Sequence, residues 1–261
     1  MNLRPAVSAL DRCGRGREHP VTVGRLSIPG RRAFHERLCA AISRVGLPGM
    51  VRTTAVTLLQ LEAAGTLNIS QILGRWLPEY PSWKQVTIRR LLNMTSGIPD
   101  YDDVPFFLKA IASRTDRFWT PAQLIAFIDS VYGHAPPPTR GWSYSNTNYL
   151  LAQLIIERAT GHSYADEITK RFLAGNLGLR ETYYQADTYP KSVTSRMVSG
   201  YFFNSSRGLE ALRPLLGRDV KDGSLSWAQE AGGMVSTLED LTRWARALYR
   251  ATCSRPRSVM S

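Results

Sequence analysis

From Thr53 to Arg250 the sequence is written in helical periods, with Gly and Pro marking where each one stops. Val56, Leu58, Leu59, Leu61 and Leu67 fit a buried helix ending near Gly65. Ile69–Trp76 reads as a short helix or turn closed by Pro78 and Pro81. Val86–Met94 is a further helix, with Thr87 as its cap, running into the turn Thr95–Tyr101. Phe106–Ser113 and Pro121–Tyr132 are amphipathic, the second with Thr120 as cap and Pro121 at its first position. Asn148–Thr160 stops at Gly161, Ser163 caps Tyr164–Phe172, and Ser236 caps a final helix over Leu238–Arg250. Between them, residues 181–229 are irregular, and Ala231–Val235 reads as a backbone that approaches its neighbours closely. Few strand signals occur, so this grammar predicts a mainly α chain.

One polar, aromatic turn stands out. Trp142–Tyr149 is delivered by the Pro-rich stretch 135–141 and runs directly into the apolar segment Leu150–Ile156. Tyr144 and Asn146, two residues apart, can point a phenol and a carboxamide into one cleft. A phenol shuttles a proton if a cation lowers its pKa, and an amide can hold a substrate carbonyl. The same letters also spell a helix start capped by Ser145 or Asn146.

The net charge of +12 belongs mostly to the ends. Residues 1–52 carry ten arginines against three acids, residues 251–261 add two arginines, and 53–250 hold 21 basic and 18 acidic residues. Three segments follow: an Arg-rich, weakly ordered head over 1–52 with a short helix over 32–43, a globular body over 53–250, and a basic tail over 251–261. Without aromatic interleaving or a recognition helix, the basic ends do not point to nucleic acid. No run of eighteen apolar residues is present, so no membrane span is predicted. Cys13, Cys39 and Cys253 have no paired spacing, and His19, His35, His134 and His162 no ligand spacing, so the sequence gives no sign of a metal or cofactor. The opening residues carry a charge and a broken apolar stretch before Asp11, Arg12 and Arg15, a poor match to a signal peptide.

Four ordered blocks carry a resemblance: Leu58–Leu67, Val86–Leu92 with Thr95–Tyr101, Tyr144–Tyr149, and Ala231–Thr237 with Glu239–Leu241. Together they resemble the serine β-lactamase-related family, which holds class C β-lactamases, D-alanyl-D-alanine carboxypeptidases and related esterases. Their flavour is that of the carboxypeptidase branch. The resemblance implies acyl transfer, with a D-Ala-D-Ala peptide, a β-lactam or an ester as partner. It implies a serine opening the first long helix, a lysine one turn later, and a Lys- or His-x-Gly strand across the cleft. Tyr144 would be the proton shuttle, and Asn146 would orient the substrate amide and the lysine. Members are usually exported, which leaves localisation open beside the poor signal match.

The departures limit what the resemblance implies. Counted back from the first block, the serine and lysine fall near Pro48 and Val51, and no Ser-x-x-Lys occurs anywhere in the 261 residues. Ser43 is followed by Arg44 and Ser96 sits in a structural turn, so neither is a replacement nucleophile. Lys221-Asp222-Gly223 precedes Ala231-Gly232-Gly233 instead of following it, and reads as a solvated turn. The expected architecture is therefore the helical lobe of the β-lactamase/DD-peptidase α/β fold with most of its antiparallel sheet missing, leaving Val56, Leu59 and Ile155 short of cover. The expected activity is a serine hydrolase by descent that is catalytically incomplete in this chain. Reading-frame slips near residues 50 and 250 fit this pattern, as does a relative kept as a non-catalytic binding module for peptidoglycan peptides or a protein.

Overall fold

The computed structural model describes residues 47–132, 141–175, 177–184, 187–202 and 210–253. The head before residue 47 with its expected helix over 32–43, the stretch 135–140, Phe203 and the tail from 254 lie outside the described residues. The loops expected up to residue 50 give way at Leu47 to α1 (Leu47–Ala63). Pro48 falls in its first turn, where a helix does not use the N–H that proline lacks. Gly65, at φ +76°, stops α1, and Gly65 N and Thr66 N donate to Glu62 O and Leu61 O.

The next helices follow their caps. After α2 (Leu73–Trp76) comes α3 (Ile88–Leu92), whose Thr87 Oγ1 accepts from Arg90 N at 3.3 Å. α4 spans Pro105–Ser113 and α5 spans Pro121–Tyr132. Ahead of α5, Thr120 Oγ1 accepts from Gln123 N and Gln123 Oε1 accepts from Thr120 N, so each residue satisfies the other's backbone donor. α6 (Thr147–Thr160) ends at Gly161, φ +73°. Ser163 caps α7 (Tyr164–Ile168), which passes into a π-helical turn over Thr169–Leu173.

α8 (Lys191–Thr194), a 3-10 turn (Glu210–Leu215) and α9 (Gln229–Gly232) interrupt the irregular region before α10 (Leu238–Cys253). The cap of α10 differs from expectation. Thr237 Oγ1 accepts from Asp240 N, while the expected cap, Ser236, instead meets Thr182 Oγ1 at 2.9 Å. The residue next to the helix has the better reach, and Ser236 is drawn off by the strand beside it.

α6 is the axis. α1, α2, α3, α5, α7 and α9 all pack on it, and Leu150, Leu151, Ala152, Ile155 and Ile156 are completely buried. An apolar run with no outward face can be satisfied only by being surrounded. Ile155, expected to lack cover, is therefore enclosed, and Val56 and Leu59 lie half-buried against the same core. Each full burial of such a side chain is worth about 1.5–3 kcal/mol.

Helix dominates the described residues, whose only sheet pairs β1 (Tyr183–Tyr184) with β2 (Met234–Val235). The pairing is antiparallel, Tyr183 opposite Val235 and Tyr184 opposite Met234. Tyr189 ties it down, its hydroxyl donating to the carbonyl of Gly233 and lying 3.0 Å from that of Tyr183.

Candidate active site

The start of α6 is built against the turn that follows α3. Met94 holds a left-handed backbone, φ +58°, and its carbonyl accepts from Ser143 N at 2.9 Å. Four consecutive side chains then reach back to that turn. Ser145 Oγ and Thr147 Oγ1 both donate to Pro99 O, at 3.1 and 2.8 Å. Asn148 Oδ1 accepts from Ser96 Oγ at 2.5 Å, and Thr147 Oγ1 also accepts from Tyr101 N. Ser96 is wholly buried and accepts from Ile98 N as well, so its hydroxyl is part of the frame, as the sequence reading expected.

Asn146 is the fourth of these side chains. Its backbone N and its Nδ2 both donate to Asp100 Oδ2, each at 3.0 Å, and Nδ2 also donates to Asp102 Oδ2 at 3.2 Å. Its Oδ1 accepts from the Tyr144 hydroxyl at 2.8 Å. The two residues that the sequence singled out thus touch. Asn146 is buried, at 1% exposure, whereas Tyr144 is half-buried and faces outward more. With its hydrogen donated to Asn146, the Tyr144 oxygen acts toward further groups as an acceptor.

Asn146 does occupy the N-cap position of α6, but its side chain makes no cap bond, and neither does that of Ser145. Asn146 keeps helical dihedrals, φ −63° and ψ −28°, which turn the side chain away from the first-turn N–H groups. Asp100 lies in the turn that the sequence predicts over Thr95–Tyr101, and Asp102 just beyond it; the sequence marks neither as part of a site. An Asp before a tyrosine in a Gly/Pro turn is generic, and Asp100 Oδ1 does accept from Asp102 N at 3.4 Å, as in an ordinary Asx turn.

The turn is also tied to a segment far along the chain. Tyr101 is fully buried and its hydroxyl donates to Trp227 O at 2.7 Å, fastening the acid-bearing turn to the segment that leads into α9. Tyr149, one turn into α6, is a second nearby phenol, but burial pushes its pKa well above the ordinary value. Lys221 lies in a turn, 3.6 Å from Asp219 and donating to Ser199 Oγ. Pro48 and Val51 lie in the opening turns of α1. No group of three His, Cys, Asp or Glu side chains suited to a metal ion occurs among the described residues. No helix among them is long and apolar enough to cross a membrane.

A family model described as Beta-lactamase matches residues 53–258. The chain belongs to the β-lactamase family. Among β-lactamase-family relatives, penicillin-binding protein 4* of Bacillus subtilis is 32% identical over 202 residues, covering 76% of this chain and 43% of that protein. The teichoic acid D-alanine hydrolase of Staphylococcus aureus is 27% identical over 169 residues, 62% of this chain and 36% of that protein. In structure, a D-stereospecific amidohydrolase from Streptomyces sp. aligns with a TM-score of 0.67 and 31% identity, over 82% of this chain and 62% of that one. The chain thus spans less than half the length of the two curated relatives. The resemblance carried by the four blocks is thereby established at the level of the family.

Proposed function

We propose that this chain is the substrate-facing helical lobe of a serine hydrolase of the β-lactamase type, and that as a 261-residue chain it binds its ligand without acylating it. The ligand class is a D-configured acyl compound: a D-Ala-D-Ala peptide, a β-lactam or a D-aminoacyl ester. The relatives support that class, since one is named for hydrolysing D-alanine from teichoic acid and another for D-stereospecific amide hydrolysis.

One observation carries the proposal: the Tyr144–Asn146 pair is assembled and hydrogen-bonded, while the sequence holds no Ser-x-x-Lys to attack a ligand laid against it. Proline and valine at positions 48 and 51 offer neither a nucleophilic oxygen nor a base. Tyr144 therefore serves as a hydrogen-bonding wall, with Asn146 as its fixed support. Incubating the purified chain with a fluorescent penicillin is expected to give no covalent band, and an adduct on any serine would sink the claim of inactivity. Calorimetric titration with an N-acyl-D-Ala-D-Ala peptide is expected to show reversible binding that weakens about tenfold in Tyr144→Phe or Asn146→Ala, the equivalent of roughly 1.4 kcal/mol. Absence of any binding by the unaltered chain would remove the binding reading.

A further inference from the structure

We propose that Asp100 is the positioning residue of this site: it decides which end of the Asn146 carboxamide faces Tyr144, and so whether the Tyr144 oxygen meets a ligand as acceptor or as donor. The proposal rests on the reading of Tyr144 as ligand-facing.

A carboxamide is nearly symmetric in shape but opposite in chemistry at its two ends. Turned one way, Asn146 offers Tyr144 an oxygen, and the phenol hydrogen points inward. Turned the other way, it offers an NH2, and the phenol must accept, sending its own hydrogen outward. Something must choose between the two, and Tyr144 itself cannot, because a hydroxyl rotates to suit either.

Asp100 can choose. Its side chain is buried, at 8% exposure, and a desolvated carboxylate needs donors around it. Its Oδ2 is placed by the Asn146 backbone N at 3.0 Å, a donor whose position α6 fixes. The same oxygen then takes Nδ2 of the same residue at 3.0 Å, and Asp102 Oδ2 takes Nδ2 at 3.2 Å. An ionised carboxylate accepts only, so reversing the amide would press Oδ1 against two carboxylate oxygens. That reversal loses two charge-assisted bonds and adds repulsion in a buried place. The Asx-turn bond to Asp102 N is longer, at 3.4 Å, so Asp100 holds the turn less closely than it holds the carboxamide.

The test combines a ligand-free and a ligand-bound measurement. In the free protein, NMR of the side-chain amides is expected to show the Asn146 NH2 protons protected from exchange relative to those of exposed Asn68. Asp100→Asn should move the Asn146 resonances and abolish the protection. In calorimetry with the N-acyl-D-Ala-D-Ala peptide, Asp100→Asn should weaken binding about tenfold when Tyr144 is present and have no further effect in a Tyr144→Phe background. A purely structural role would instead give the same loss in both backgrounds, which would overturn the proposal. If the unaltered chain does not bind the peptide, the functional reading falls, and the NMR comparison still decides the role of Asp100. If Asp100→Asn does not fold, the unaltered protein decides alone: Asn146 protons exchanging as fast as those of Asn68 would overturn the assignment.

Discussion

At position 233 one hydrogen atom in place of a methyl group keeps two backbones in contact. Gly233 N donates to Gln229 O at 2.6 Å, and a Cβ built on Gly233 would stand 2.7 Å from that oxygen and 3.4 Å from Leu225 O. Both neighbours are backbone, so neither can rotate away. Gln229 is itself strained, with φ +41°, and is held there by its buried side chain, whose Nε2 donates to Trp119 O. Gly233→Ala should therefore destabilise the fold by about 1–3 kcal/mol in urea unfolding. A loss within about 0.5 kcal/mol, the usual range for an innocuous change, would show that the approach is not tight. The Ala-Gly-Gly letters announce a close approach, and the structure bears that out. They do not say what is approached, the oxygens of Gln229 and Leu225, nor that the Gln229 side chain is tied to Trp119, more than a hundred positions earlier.

At the scale of elements, α6 organises the chain because its apolar residues face every direction. Ile155→Ala should cost about 2–5 kcal/mol, since a fully buried side chain with neighbours on all sides leaves a cavity that cannot collapse. Val131→Ala, on the outer side of α5 at 43% exposure, should stay within about 0.5 kcal/mol. Equal losses in the two variants, read by the same unfolding curve, would contradict the central placement of α6. The helices themselves were legible: Thr87, Thr120, Ser163, Gly65 and Gly161 act locally, and each does what its neighbours in sequence predict. Less legible were features set from a distance. Asn146 is a good cap by type, yet Asp100 and Asp102, over forty residues away, hold its side chain elsewhere. Ser236 likewise loses its expected cap role beside Thr182, and Ile155 gains cover that counting strands could not foresee.

Over the whole molecule, 33 Lys and Arg outnumber 21 Asp and Glu, so the individual carboxylates that join distant segments have consequences for stability. Glu167 is one. Its side chain is 3% exposed, Arg171 Nε donates to its Oε2 at 2.7 Å, and His162 Nδ1 lies 3.0 Å from Oε1. Arg171 also reaches Gln60 Oε1 on α1, so the carboxylate anchors α7 and its π-helical turn to the first helix. Burial raises the Glu167 pKa, but the hydrogen bonds and charges of Arg171 and His162 outweigh it and hold the carboxyl below its ordinary value. Asp219 is similar: burial opposes, while hydrogen bonds from Ser199 and from the backbone N–H groups of Lys221 and Gly200 prevail. A carboxyl whose pKa is lower folded than unfolded binds protons more readily in the unfolded chain. Its contribution is complete above the unfolded value, near ~4.3 for Glu and ~3.9 for Asp, and disappears as pH falls through the lower folded value. Acid also removes negative charge everywhere and raises the net positive charge, which loosens any such protein whatever its ion pairs. The two effects separate by mutation. Glu167→Gln and Asp219→Asn should each lower the urea-unfolding free energy at pH 7, and each should make the decline between about pH 5 and pH 2.5 shallower than in the unaltered chain. General charge repulsion is the same in all three proteins to within one charge, so an equally steep acid limb in both variants would mean that these carboxylates do not hold the segments together.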